Sequence, residues 1–171
     1  MKKIFFVLVL FCTLSLSFAQ KAGDKISFSS QELNGAVVTD SLFAKNKLTM
    51  INIWGTFCPP CIKEMPDLAK LNNANKEKKV EVVGIVIDLT DQRGRVIAKQ
   101  KKDAQTIISM TGADYTHIVP NPEMFSGLLR NVQAVPTTIF VDQNGKMVGK
   151  MYLGAKSQKE WQKIIDDLLS K

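Results

Sequence analysis

Short apolar runs and helical apolar stripes take turns along this chain. Leu48 to Ile53 is a compact apolar run, and Val80 to Ile87 is β-branched and almost uninterrupted. Runs of this length without polar alternation predict strands buried on both faces, as in a sheet covered by helices. Between them Ile62, Met65, Leu68, Ala69 and Leu71 recur at helical spacing, which predicts a helix reaching about Asn75. Pro66 falls inside that stripe and predicts a kink, because it has no N–H for the carbonyl of Ile62.

The flanking segments follow the same alternation. Ile26-Ser27-Phe28 and Ala36 to Thr39 enclose Glu32-Leu33-Asn34-Gly35, and Asn-Gly between apolar segments predicts a hairpin. One helical turn is expected over Asp40 to Ala44. Arg93 to Thr111 reads as a helix with Val96, Ile97, Ala104, Ile107 and Ile108 inward and Gly112 as its stop. Asp114 to Val119 reads as a short strand. Asn121-Pro122-Glu123 is a helix start, with a cap, a proline at the first position and then an acid; Met124, Leu128 and Leu129 follow on it. Thr137 to Val141 and Lys146 to Tyr152 flank the turn Asp142 to Gly145. Ser157-Gln158-Lys159-Glu160 is a capping box opening an amphipathic helix that carries Trp161, Ile164, Ile165, Leu168 and Leu169. Strands alternating with helices and closing on a hairpin and a helix predict an α/β sandwich with a mixed sheet.

The first twenty residues do not fit that pattern. Met1-Lys2-Lys3 is basic, Ile4 to Phe18 is apolar, and Ser17-Phe18-Ala19 places small residues where a signal peptidase needs them. This predicts a secretory leader, residues 1–19, and one domain over 20–171. The run is short for a membrane span, although an uncleaved anchor stays open. Cys12 follows Phe11, whereas a lipid-attachment cysteine wants a small residue before it, so it reads as part of the leader. Cleavage leaves Cys58 and Cys61 as the sole cysteines and lowers the net charge from +7 to +5. The basic stretches Lys76 to Lys79 and Arg93 to Lys102 read as solvated faces. Nucleic acid is an improbable partner outside the cytoplasm, whereas a mildly basic surface suits an acidic protein or a membrane.

Chemistry concentrates where the first apolar run gives way to the first helical stripe, at Trp54-Gly55-Thr56-Phe57-Cys58-Pro59-Pro60-Cys61. If Cys58 caps the helix, Cys61 falls one turn later, close enough for the sulfurs to bond. Cys58 then sits beside unpaired N–H groups at the positive end of the helix, where the nucleophilic thiolate is favoured. Pro59 suits the first helical position, and Pro60 removes a second donor, so the thiolate is favoured less than in a motif that keeps those donors. Other readings compete. A structural disulfide is common in exported chains, but a loop this short contributes only about 2 kcal/mol in the chain-entropy model, against about 3 for fifteen residues. Zinc wants about four ligands, and the chain has three Cys and one His. Copper(I) would suit soft thiolates. Gly55 stands where a peroxidatic cysteine would have Thr or Ser three residues before it. A binding module with a dispensable dithiol also stays open.

Over Ile26 to Leu169 the chain resembles the thioredoxin superfamily, and within it the exported TlpA/ResA-type thiol-disulfide oxidoreductases, some of which serve cytochrome c maturation. The resemblance rests on Trp54 to Cys61, Glu64-Met65-Pro66, Val135-Pro136-Thr137-Thr138, the Asp142 to Gly145 turn and Gly154. It implies a thioredoxin-like three-layer sandwich with a mixed central sheet, an N-terminal hairpin and a helix-strand insertion over Asp91 to Pro120. It further implies that Cys58 is the exposed nucleophile, Cys61 the buried resolving thiol, and Pro136 a cis-proline facing the disulfide. Trp54, Phe57, Pro59, Pro60, Val135 and Pro136 would form the substrate surface. Many thioredoxins carry a buried aspartate where this chain has Asn52, which cannot cycle a proton. Glu64, three residues past Cys61 on one helix face, is then the expected proton acceptor for Cys61. His117 reads as structural or partly exposed. The expected activity is reduction of protein disulfides outside the cytoplasm, with an oxidase as the near rival. No cofactor beyond the dithiol, a membrane electron donor, and a monomer complete the picture.

Overall fold

The computed structural model describes residues 25–170. The leader, with Cys12 and the cleavage site after Ala19, lies outside them.

Seven strands form one mixed sheet in the order β2-β1-β5-β4-β3-β6-β7. They are β1 (Ser29–Glu32), β2 (Val37–Thr39), β3 (Leu48–Trp54), β4 (Val80–Val86), β5 (His117–Val119), β6 (Thr137–Asp142) and β7 (Met147–Leu153). The helices are α1 (Pro59–Ala74), α2 (Ala98–Thr111), α3 (Pro122–Ser126) and α4 (Gln158–Leu169), with a 3₁₀ turn over Asp40–Lys45. β3 runs parallel to β4 and antiparallel to β6. Every residue of β3 is buried, as its unbroken apolar run predicts.

Side chains alternate across the central strands, so each strand feeds two cores. Met50, Trp54, Val82, Val86 and Phe140 pack with Met65, Leu68, Leu71, Ala104, Trp161 and Ile165 from α1, α2 and α4. Ile51, Ile53, Val83, Ile85, Ile139 and Val141 pack with Ile26, Phe28, Phe43, Met124, Leu128 and Leu129. The three long helices therefore share one face of the sheet. The 3₁₀ turn, α3 and the N-terminal segment cover the other. This is the thioredoxin-like α/β sandwich, including the N-terminal hairpin.

Several elements shift from their expected places. The hairpin strand is Ser29–Glu32, because the Ile26 N–H pairs with the Gly145 carbonyl (2.6 Å) and Ile26 and Phe28 plug the second core. Helix α2 begins at Ala98, five residues late. Before it the Asp91 carboxylate accepts the backbone N–H groups of Arg93 and Arg95 (2.9 Å each) and the Arg95 side chain, closing a turn. Val96 and Ile97 are consequently exposed rather than inward. The strand expected over Asp114 to Val119 shortens to β5, and Leu128 and Leu129 reach the core from beyond α3. Helix α1 continues through Pro66 to Ala74. Ile62 is only half-buried, and Glu64 takes an inward place beside Met65.

Candidate active site

The sheet's register places the site. The C-terminal end of β3 delivers Trp54, and Thr137 at the start of β6 lies opposite Ile53. The loop carrying Val135 and Pro136 therefore stands at the same sheet edge as the cysteines. The Val135–Pro136 peptide is cis, as the resemblance implies. Gly154 donates its N–H to the Pro136 carbonyl at 2.8 Å and so ties the end of β7 to this loop.

Cys58 and Cys61 are joined by a disulfide with a Cα–Cα distance of 5.3 Å. Cys58 is the N-cap of α1, and its Sγ accepts the Cys61 N–H at 3.3 Å. Pro59 and Pro60 fill the first turn without donors, so the Cys61 N–H is the first that the helix can offer this sulfur. Cys58 is 4% exposed and Cys61 1%. The expectation of an exposed nucleophile is thus corrected for the disulfide form, in which Cys58 is buried at the N-cap of α1. The segment before Cys58 is also held. The Thr56 N–H donates to the Asp88 carboxylate (3.0 Å), the Thr56 hydroxyl donates to its other oxygen, and Gln100 of α2 donates there too (2.9 Å). Sequence reading did not single out this link between the insertion and the motif.

The expected substrate surface divides by burial. Phe57 is 63% exposed, Pro59 and Pro60 are exposed, and Val135 is half-buried. Trp54 has no exposed surface and Pro136 is buried. Trp54 is corrected from a substrate contact to a core residue, because β3 points its indole under α1. Leu153, exposed and paired with Thr137, adds apolar surface at this edge that the sequence had not indicated.

Beneath α1 the sheet carries a polar row. His117, Gly84, Asn52, Thr138 and Tyr152 are successive register partners across β5, β4, β3, β6 and β7. Glu64 meets this row from above and is only 4% exposed. Its Oε1 accepts the Trp161 indole N–H (2.6 Å) and the Lys156 backbone N–H (2.8 Å); its Oε2 accepts the Asn52 amide at 3.4 Å. Burial pushes this carboxyl above its ordinary range, while the three donors and the Lys156 charge pull it partly back. A buried acid one helical turn past Cys61 can take a thiol proton. Trp161 had been read as core alone. The need of a buried indole N–H for a partner was the available signal that it holds a polar group.

His117 is 4% exposed and both ring nitrogens are engaged. The Trp54 indole N–H donates to Nδ1 at 3.2 Å, and Nε2 lies 2.8 Å from the Ala113 carbonyl, to which it donates. Burial holds its pKa down to about 4, so the ring is neutral. Among the described residues no three His, Cys, Asp or Glu side chains group as metal ligands, and no helix is long and apolar enough to cross a membrane.

A protein-family model described as Redoxin matches residues 21–168. The thiol-disulfide oxidoreductase ResA of Halalkalibacterium halodurans is 24% identical over 147 residues, covering 84% of this chain and 74% of the relative. The thiol:disulfide interchange protein HelX of Rhodobacter capsulatus is 29% identical over 136 residues, covering 79% and 68%. ResA of Bacillus cereus is 30% identical over 116 residues, and there the match spans 60% of the relative's length. Among solved structures, a thiol:disulfide interchange protein from Chlorobium tepidum superposes with a TM-score of 0.69 at 23% identity, covering 87% of this chain and 97% of that one. That likeness shows the fold.

Proposed function

The chain belongs to the Redoxin family, and on that premise we propose that it reduces disulfides in exported proteins through the Cys58–Cys61 dithiol, outside the cytoplasm. Its relatives are named thiol-disulfide oxidoreductases, and it is an oxidoreductase of that kind. The observation that carries the reading is the disulfide at the N-terminus of α1 with Glu64 buried one turn below it. A stapling bridge has no use for a buried carboxyl there; a cycling dithiol does.

In the first step the Cys58 thiolate attacks one sulfur of the substrate disulfide. That bond breaks, its other sulfur leaves as a thiolate and takes a proton, and Cys58 is left in a mixed disulfide. The Cys61 thiol then gives its proton to Glu64, and the resulting thiolate attacks Sγ of Cys58. The Cys58–substrate bond breaks, the Cys58–Cys61 bond forms, and the substrate's second sulfur leaves reduced. Two electrons pass from the dithiol to the substrate, and a donor, placed in the membrane by this reading, must return them. Phe57, Pro59, Pro60 and Val135 form the surface that meets the substrate. Secretion through the 1–19 leader and service to cytochrome c maturation belong to the same proposal; the basic start, apolar run and small residues of 1–19 support the first, and the family resemblance the second.

Two measurements test it. The Cys58/Cys61 potential, set against a glutathione or dithiothreitol couple, should lie nearer about −270 mV, as in thioredoxin, than about −120 mV, as in DsbA. The reason is local: Pro59 and Pro60 withhold donors from the Cys58 thiolate. A value near about −120 mV would overturn reduction in favour of oxidation. Secondly, Cys61→Ser should trap substrates as mixed disulfides and Cys58→Ser should not. Equal trapping by both would show that the roles of the two sulfurs are shared.

A further inference from the structure

Asn52 sits at the middle of β3, on the face that meets α1, with no exposed surface. Its Nδ2 donates in two directions, to Thr138 Oγ1 at 3.1 Å and to Glu64 Oε2 at 3.4 Å. Its Oδ1 is buried and has no partner. A buried carbonyl oxygen left bare is costly, so a fold that tolerates one has a reason for it.

The reason lies in the shape of an amide. Its two ends are nearly isosteric, and a half-turn about χ2 exchanges a double donor for an acceptor. With Glu64 ionised, the observed orientation is correct: Nδ2 faces both Oε2 and the Thr138 oxygen. With Glu64 protonated it is wrong. Oε1 is already occupied by two donors, Trp161 and Lys156, so an added proton goes to Oε2. An Oε2–H group would then confront an N–H group. After the half-turn, Oδ1 accepts from Oε2–H and from the Thr138 hydroxyl, while Nδ2 takes the bare position. Either orientation leaves one amide end without a partner, so that cost cancels between the two. The protonation of Glu64 alone decides.

We propose that Asn52 is a positioning residue, an amide that turns over as Glu64 gains and loses the Cys61 proton and holds the carboxyl in one place in both forms. This rests on the reading of Glu64 as the proton acceptor. The proton leaves Cys61 as its S–H bond breaks and forms an O–H bond at Oε2; the turning amide then closes the hydrogen bond behind it. The residue type matters. An aspartate here would set a second carboxylate against Glu64 and make the two titrate as one coupled pair. A leucine would leave Oε2 and the Thr138 hydroxyl without their partner.

Few other groups complicate the titration. The Lys156 ammonium, from the segment before α4, favours the ionised carboxyl. The Tyr115 phenol, from the segment before β5, is held neutral by burial. Cys58 and Cys61 are the remaining titratable neighbours on α1's first turn. α4 and β6 present Trp161 and Thr138, which do not titrate.

The first test uses NMR on the folded protein. Glu64→Gln places an amide N–H where the protonated carboxyl would have its O–H, so it fixes the turned state. Asn52 Hδ2 protons should show an NOE to the Thr138 side chain in the wild type at alkaline pH. That NOE should be lost in Glu64→Gln and in the wild type once Glu64 is protonated. An NOE unchanged in all three would overturn the turnover of the amide. The second test is the pH profile of mixed-disulfide resolution in Asn52→Leu. Asn52→Leu removes a donor from the ionised carboxyl and an acceptor from the protonated one. The bond to the charged form is the stronger, so the midpoint should move upward, and resolution at pH 7 should change by about tenfold, the scale of the difference between a hydrogen bond to a charged and to a neutral group. A midpoint equal to wild type would remove Asn52 from the proton's path. The two readings fail separately. If Glu64→Gln resolves as fast as wild type, the acceptor role falls. If it is slow while the Asn52 amide never turns, only the present inference falls.

Discussion

At one end of the row beneath α1, His117 has both ring nitrogens partnered, by Trp54 and by the Ala113 carbonyl. In the middle of the same row the Asn52 amide has one end partnered and the other bare, and the acid above it carries three donors against the cost of burial. Both places bury a titratable group at the same depth, 4% exposed in each case. They differ in what their partners allow. The partners of His117 fit one protonation state, so the ring is locked neutral. Glu64 is pulled both ways: burial, the stronger pull, favours its acid form, while the hydrogen bonds and the Lys156 charge favour its anion. Burial at one depth therefore does not by itself decide how a group titrates; the partners around it do.

The largest expected effect on stability comes from the locked end. Unfolded His117 takes a proton near pH 6.5 and folded His117 only near about 4, so in that window the unfolded chain binds more protons. Stability should rise with pH through the window and fall on acidification. His117 accounts for a loss on the order of 3 kcal/mol once the pH is below about 4. Urea unfolding of wild type and His117→Gln across this range isolates the slope. Equal slopes would show that the ring is not locked.

Next in size is Gly84→Ala. A Cβ at Gly84 would lie 2.3 Å from Nδ1 of His117 and 3.0 Å from Nε1 of Trp54, and both rings are fully packed. Overpacking of this kind costs about 1–3 kcal/mol, read as a fall in Tm, with resolution kinetics of the folded protein unchanged. An unaltered Tm would mean that the rings can part, and the contrast with Glu64 would weaken.

The smallest effect has the opposite sign. Folded Glu64 holds its proton more tightly than the unfolded chain does. It therefore contributes stability below pH 4.5 that is lost as pH rises through its folded pKa. Glu64→Gln should be slightly more stable than wild type at neutral pH, and that margin should vanish in acid. Denaturation midpoints at pH 4 and pH 8 read it, and a Glu64→Gln protein less stable at pH 8 would contradict the burial cost.

Much of this was legible in the residues. The apolar runs of β3 and β4, the Gly112 stop and the Ser157 capping box are local signals, and each formed as expected. Glu64 shares the phase of Cys61, Met65 and Leu68, so its inward position was readable. The start of α2 was not. Val96 and Ile97 kept helical spacing, but the Asp91 carboxylate captured two backbone N–H groups and delayed the helix, a competition that periodicity does not register. Nor could the sequence pair Glu64 with Trp161, since the two lie on different helices brought together by packing. The polar row itself appears only once the strand order is known. His117, Gly84, Asn52 and Thr138 are far apart along the chain and adjacent across the sheet.

The central claim is that Glu64 takes the Cys61 proton when the mixed disulfide resolves. Stopped-flow measurement of that step near pH 7, starting from a preformed Cys58 mixed disulfide, tests it most directly. Glu64→Gln should resolve about 10²–10⁴-fold more slowly than wild type, the usual worth of a positioned acid or base, and His117→Gln should not. Resolution by Glu64→Gln at the wild-type rate would show that the proton goes to water and that the buried carboxyl has no part in the exchange.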